Sequence, residues 1–256
     1  MINERYQAGF TDADGSISVQ AYKSKDNLFT IQPNLQWSQR SDRRKVIDLM
    51  PGNTRVKSDT QVMSSIAGQE AATYLNRIKN HLVVKRTEAD FILSHSGSRV
   101  TEDTLKAIKK AHKAIRRDIS EHGKVTHSRA WAAGYFDGDG CIYSRVRQQG
   151  NSYYLETTLN LSSWIYQPEG IELMQKAWGG KIRRTGDTIG LWVTINPQNA
   201  QKILQPLMRY TILKTGQIAL VKERYQTLRH NRKGASKAEL VEFEETLKSL
   251  KRTCND

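Results

Sequence analysis

Residues 8–17 read Ala-Gly-Phe-Thr-Asp-Ala-Asp-Gly-Ser-Ile, and residues 133–142 read Ala-Gly-Tyr-Phe-Asp-Gly-Asp-Gly-Cys-Ile. Six of the ten positions are identical, and the offset of 125 is close to half of the 256-residue chain. The likeness continues downstream. Leu35-Gln36-Trp37-Ser38-Gln39 matches Leu159-Asn160-Leu161-Ser162-Ser163, and Leu82-Val83-Val84-Lys85 matches Thr211-Ile212-Leu213-Lys214. A lone Asp-x-Asp-Gly is more often a turn than a site. Two copies in register, with matching flanks, are a repeated structural unit.

Working outward, Asn3 is placed to N-cap a helix reaching about Asp12, with Glu4 favourable in its first turn and Gly15 as the stop. In the second copy Ser128 or Thr126 caps and Gly140 stops. Strands follow in 16–22 and 29–37. Ser18, Gln20 and Tyr22 alternate with Ile17, Val19 and Ala21; Thr30, Gln32, Asn34 and Gln36 alternate with Phe29, Ile31, Leu35 and Trp37. Period-two alternation describes a sheet with one buried and one polar face. The second copy sets Tyr143, Arg145 and Arg147 on its polar face, then Tyr154, Glu156, Thr158 and Asn160. Ser41 is expected to cap a helix ending near Met50, before Pro51-Gly52. A further hairpin in each copy carries Arg55 and Lys57, or Lys181 and Arg183. Helices over 69–80 and 86–95 complete the first copy.

Each copy is therefore αββαββα, and the class is α+β with two pseudo-symmetric antiparallel sheets. The boundaries expected are 1–98 for the first unit, 99–127 for a helical linker, and 128–256 for the second unit with an extra C-terminal helix. In the linker, 101–119 has helical spacing at Leu105, Ile108, Ala111 and Ile115, with Lys106, Lys109, Lys110, Lys113, Arg116 and Arg117 around it. It reads first as a solvated linker helix; its charge would also suit phosphates. The last helix, over 236–251, shows no chemistry.

The chain has 40 Lys plus Arg against 26 Asp plus Glu, a net charge of +14. That balance favours a polyanion, nucleic acid first, over an acidic protein or membrane surface. Cys141 and Cys254 are far apart with no C-x-x-C, which excludes a disulfide scaffold and a zinc ribbon. They fit a reducing intracellular setting: a bacterial or phage-infected cytoplasm, or an organelle. The N-terminus lacks an apolar h-region and no run of ~18 apolar residues exists, so neither secretion nor membrane insertion is expected. The six histidines form no i, i+4 pair, and all are read as structural or surface groups.

Gly9 and Ala13 share one helix ridge, as do Gly134 and Gly138, and small residues at that spacing let backbones approach closely. Paired through these ridges, the two motif helices would bring Asp14 and Asp139 together, beside two negative helix ends. Such a spot repels itself unless a hard cation such as Mg²⁺ is present. In a basic protein flanked by polar sheets, this reads as metal-assisted phosphodiester hydrolysis.

Both motifs resemble the LAGLIDADG signature, and the chain resembles a single-chain, two-motif LAGLIDADG homing endonuclease over roughly residues 3–95 and 128–225. The resemblance implies two αββαββα units whose sheets form a saddle over DNA. It implies metal binding by Asp14 and Asp139 with the main-chain carbonyls of Ala13 and Gly138. It assigns catalytic positions to Gln39, Lys85 and Lys214, with Arg43 one turn beyond Gln39. Ser163 stands where a second Gln is expected and Gln167 where Arg43 sits, so the half-sites are unequal. Asp12 and Asp137 are read as structural helix-end groups. The cofactor implied is Mg²⁺, with Mn²⁺ substituting and Ca²⁺ supporting binding without cleavage.

The partner expected is a long asymmetric double-stranded DNA bound by a monomer; intron RNA is the other partner considered. A ~125-residue unit has a diameter of roughly 35 Å. Two side by side would span about 70 Å, or about 20 base pairs at ~3.4 Å each. The alternative function is a cleavage-deficient RNA maturase or DNA-binding regulator. Retention of both acids and both lysines favours the enzyme. With no protein-splicing residues framing the chain, an intron-borne or free-standing gene is expected rather than an intein.

Overall fold

The computed structural model describes residues 3–116, 128–230 and 236–250. α1 (Glu4–Asp14) opens the chain, its N-cap Asn3 accepting from the Arg5 amide at 2.8 Å. β1 (Gly15–Lys23) and β2 (Phe29–Arg40) form a long hairpin, followed by α2 (Arg44–Ile47), β3 (Asn53–Ser58), β4 (Gln61–Ala67), α3 (Gly68–Ile78) and α4 (Arg86–His95). After β5 (Arg99–Val100) and α5 (Glu102–Ile115) the pattern recurs with α6 (Arg129–Asp139), β6 (Gly140–Gln149), β7 (Ser152–Trp164) and α7 (Glu169–Trp178). β8 (Lys181–Thr185), β9 (Thr188–Ile195), α8 (Ala200–Tyr210), α9 (Thr215–His230) and α10 (Lys237–Leu250) complete it. The two sheets run β1-β2-β4-β3 and β6-β7-β9-β8, all antiparallel. This is the α+β class read from the repeat. Among the described residues no helix is long and apolar enough to cross a membrane.

Several local expectations change. α1 and α6 run through Asp14 and Asp139, so these acids are the last helical residues. Gly15 and Gly140 do not end the helices by left-handed geometry: their φ values are −77° and −83°, ordinary extended backbone. They are there for space. A Cβ on Gly15 would lie 2.6 Å from the Thr11 carbonyl oxygen, and one on Gly140 would strike that of Phe136. Ser41 caps nothing; its hydroxyl donates to the Asp59 carbonyl at 3.1 Å, and the expected helix to Met50 shrinks to the four residues of α2 behind a single 3-10 turn. β2 and β7 extend past Gln39 and Ser163, so those residues sit within strands rather than after them.

The stretch expected as a helical linker starts as a strand, because Arg99 and Val100 pair with Thr30 and Phe29 of β2. α5 then packs Leu105 and Ile108 against Ile31 on the back of the first hairpin. The rest of the expected helix to Ile119, with Arg117, His122, Thr126 and His127, lies outside the described residues, as do Lys251 and Cys254. Ser128 takes the N-cap of α6, accepting from the Trp131 amide at 3.1 Å. α10 packs behind the second hairpin through buried Leu240, Phe243 and Leu247, and its Glu244 carboxylate accepts the Val146 amide of edge strand β6 at 2.9 Å. An edge N–H is thereby covered, the kind of group that otherwise templates aggregation.

α1 and α6 pack on each other at the centre. A Cβ on Gly9 would collide with the Trp131 carbonyl, and one on Gly134 with the Tyr6 carbonyl, so the two small-residue ridges do face each other. Gly134→Ala is expected to cost ~1–3 kcal/mol or more through overpacking against backbone that cannot move aside. Urea unfolding should show a lower midpoint at an unchanged slope. An unaltered midpoint would mean the ridges are not in contact.

Candidate metal centre and nucleic-acid face

The closely packed ridges fix where the motif acids go. Asp12 turns inward: its carboxylate accepts the amides of Val83 (2.7 Å) and Lys85 (2.9 Å) and the Trp131 indole N–H of the other repeat (2.8 Å). Asp137 mirrors it, accepting the amides of Ile212, Leu213 and Lys214 and the Tyr6 hydroxyl at 2.7 Å. Each acid thus ties the segment before its own last helices to the other copy's motif helix. The geometry is that of structural groups.

The same ties bury Lys85 and Lys214 at the helix ends, which no surface lysine would be. Lys85 Nζ donates to the carbonyls of Thr11 (2.8 Å) and Asp12 (2.7 Å), and reaches Ala13 at 3.5 Å. Lys214 Nζ donates to Phe136 (2.7 Å) and Asp137 (2.5 Å). The Asp12, Ala13 and Asp137 carbonyls are among those a helix C-terminus leaves without backbone partners, while Thr11 and Phe136 also accept the Gly15 and Gly140 amides. Burial lowers both lysine pKa values, with Asp12 and Asp137 the largest opposing charges.

Asp14 and Asp139 meet where the helices end: a Cβ on Gly138 would lie 2.8 Å from Asp14 Oδ2. Their surroundings differ. The Gln39 side-chain amide donates to the Asp14 carboxylate, and Arg43 reaches the Gln39 carbonyl oxygen at 3.4 Å. Burial raises the Asp14 pKa, opposed by Lys85, Lys214, the Gln39 bond and Arg43. Among the described residues no side-chain amide reaches Asp139 in this way. Burial, then the Asp14 charge, push it up to about 7. Ser163 cannot stand in, because its hydroxyl donates instead to the Gln167 carbonyl at 3.2 Å. Gln167, in the position of Arg43, brings no positive charge.

The donor chemistry fits a hard divalent cation. Two buried carboxylates and helix-end carbonyls are oxygen ligands, and burial together with the Asp14 charge raises Asp139 in spite of Lys85 and Lys214. No group of three or more His, Cys, Asp or Glu with metal-site geometry occurs among the described residues. Remaining ligand positions would fall to water and phosphate oxygens, the usual manner for Mg²⁺.

Below this centre the polar faces spread. Cα pairs Ser18–Asn34, Gln20–Gln32 and Tyr22–Thr30 place those six residues on one face of the first sheet, with Gln36 opposite Ser16. Arg55 joins that face through the register Arg55–Met63–Ser38, whereas Lys57 falls in a bulge between Val56 and Ser58. The second sheet pairs Tyr143–Thr158, Arg145–Glu156 and Arg147–Tyr154, with Asn160 opposite Cys141. Lys181 and Arg183 share this face through Trp192 and Gly190. Arg147 is not a free fork: its Nε donates to Glu156 at 2.8 Å.

The sequence reading missed residues that simply continue these alternations: Ser38 and Arg40 on β2, Ser162 and Trp164 on β7, and Trp192 on β9. Trp164 is 61% exposed and Trp192 37%. Large exposed aromatics, one of them under the Arg183 guanidinium at 5.6 Å, are a departure from an ordinary solvated face. Counting by two past Asn160 would have found Trp164.

Residues 7–87 match the family described as LAGLIDADG endonuclease. A relative, DNA endonuclease I-CvuI of Chlorella vulgaris, is 29% identical over 97 residues; the match covers 36% of this chain and 60% of the relative. Among solved structures, the LAGLIDADG meganuclease I-AabMI bound to uncleaved DNA superposes with TM-score 0.69 at 16% identity, covering 98% of each chain. The LAGLIDADG homing endonuclease I-GzeII, in complex with its DNA target, gives TM-score 0.67 at 14% identity, again over 98% of each. Residues 7–87 are thus similar in sequence to the LAGLIDADG endonuclease family, and nearly the whole chain has the fold of the LAGLIDADG meganucleases.

Proposed function

We propose that the chain is a site-specific DNA endonuclease, hydrolysing both strands of a long non-palindromic duplex with a divalent cation. The carrying observation is the meeting of Asp14 and Asp139 at two paired helix ends, between two unlike polar sheet faces. Support comes from the relative named as a DNA endonuclease and from the folds solved on DNA, one of them, I-SmaMI, with its uncleaved target in the presence of calcium ions.

Asp14, Asp139 and the main-chain carbonyls of Ala13 and Gly138 would hold the cation. Once bound, a divalent cation polarises a phosphodiester and supplies a hydroxide-like nucleophile at neutral pH. The protein's part is positional. Gln39 orients the Asp14 carboxylate, Arg43 orients Gln39, and Lys85 and Lys214 pin the helix ends. The sheets then select the sequence by contacts to base edges in the major groove. The test is selection of cleavable sites from a randomised duplex library with Mg²⁺. A single family of long asymmetric sites supports the reading. Bound but never cut sites would favour a regulator, and binding confined to structured RNA a maturase.

Because the two faces differ, each should govern its own half-site. Arg145, whose guanidinium lies over Tyr143 at 5.7 Å, offers the second face's fork toward guanine O6 and N7. Arg145→Ala should relax one or two adjacent positions by ~1–3 kcal/mol of discrimination. Arg147→Ala should do less, since Glu156 already engages it. Gln20→Ala should change only the other half. Site-preference profiles of the three variants check this, and relaxation spread over both halves would contradict it.

A further inference from the structure

Beside the metal centre, and sharing Ala13 and Lys85 with it, lies a cavity of about 640 Å³. Lys85 of the first repeat, Lys113 of α5 and Arg116 just after it, and Trp164 and Tyr166 at the end of the second long hairpin all line it, with Asp187 as its one carboxylate. The two aromatic rings are 61% and 41% exposed, so neither is tucked into the core. α5 is held at this place. Glu88, itself buried, bonds the His112 ring at 2.8 Å and Arg116 Nε at 2.9 Å, which fixes the Arg116 guanidinium at the cavity wall. The end of a helix that looked like a solvated linker therefore brings two cations to a cavity that two exposed aromatics also line.

Cations beside exposed aromatic rings are the chemistry that holds a nucleotide outside a duplex: the rings stack on the base and the cations take its phosphate. A base inside a regular duplex has both faces covered by its stacked neighbours and cannot offer one to Trp164. We propose that this cavity receives an unpaired deoxynucleotide of the DNA, stacked on Trp164 and Tyr166, with its phosphate on Lys113 and Arg116. The proposal rests on the endonuclease reading for the identity of the nucleic acid. It adds to that reading a contact with single-stranded character next to Asp139, which together with Trp164 lines a neighbouring cavity of about 220 Å³.

The test uses the full chain and two short probes that need no knowledge of the target, the octamers dT8 and rU8. Base–aromatic stacking by Trp164 predicts that dT8 quenches tryptophan fluorescence and that Trp164→Ala weakens dT8 roughly 5- to 100-fold. Trp164→Phe should keep most of the affinity while losing the quench, and Lys113→Ala should weaken dT8 and lower its salt dependence. Lys248→Ala, on α10 behind the second hairpin, should leave dT8 unchanged. Both aromatics are exposed, so folding is not at stake, and an unaltered urea midpoint confirms it. Equal dT8 affinity in wild type and Trp164→Ala would overturn the proposal whatever happens to duplex cleavage. Binding of rU8 with dT8 inert would overturn the DNA assignment. Trp164-dependent dT8 binding in a protein that cuts no duplex would uphold the cavity and defeat only the endonuclease reading.

Discussion

Asp14→Asn and Asp139→Asn are each expected to lower double-strand cleavage by roughly 10³-fold while leaving duplex binding in Ca²⁺ within a few-fold of wild type. A bound cation contributes several kcal/mol of transition-state stabilisation, and about 1.4 kcal/mol is a factor of ten in rate. Asn keeps the shape of Asp and removes one negative oxygen ligand. In the Asp14 variant the Gln39 amide still has an oxygen to donate to, so the helix end should hold its form. The residues proposed to read base edges lie on the sheets and are untouched by either change. Anisotropy with labelled duplex and gel cleavage on the same selected target separate the two effects. Full cleavage by either variant would dispose of the metal assignment. Loss of binding in step with cleavage would mean the change had damaged the fold.

The fold was legible because it is written twice. A single Asp-x-Asp-Gly carries little, but its return after 125 residues with matching strands made the helix pairing and the two sheets readable before any coordinates. Alternation named the polar faces correctly for the long hairpins, since a strand with one buried side must alternate. The readings that missed depended on tertiary context. Glycines after the motif acids looked like helix stops; the structure needs them because strand backbone leaves against the helix's own carbonyls. Gln39 looked like a loop residue, yet it is the last core-facing position of β2, aimed at Asp14 because Trp37 and Leu35 below it are buried. The matched placement of Lys85 and Lys214 marked them as functional but not as buried, since only Asp12 and Asp137, distant in sequence, draw them under the helix ends. The charge of α5 already suited phosphates, but its place beside the centre was out of reach for the same reason, being fixed by Glu88.

Without metal, the protein is expected to become less stable as pH rises from about 4 to about 7, by about 4 kcal/mol from Asp139 alone. The folded-state pKa of about 7 stands above the ordinary value of 3.8, so between these values the native state binds a proton that the unfolded chain has released. Stability is therefore greatest at the acidic end of the window, falls as pH climbs through it, and levels off above about 7. Each pKa unit corresponds to about 1.4 kcal/mol, and the difference of some three units gives the total. Asp14, also raised by burial, adds to the fall with the same sign, held back by Gln39, Arg43 and the two lysines. Asp139→Asn should remove most of the slope and stabilise the metal-free protein at pH 8. A saturating divalent cation should also flatten it in the wild type, because a ligated carboxylate is ionised in the native state as it is in the unfolded chain. Urea midpoints at pH 4.5, 6 and 8, with and without Mg²⁺, measure all of this. A wild-type slope that Asp139→Asn leaves intact would show that the strain at the paired helix ends does not reside in that carboxylate.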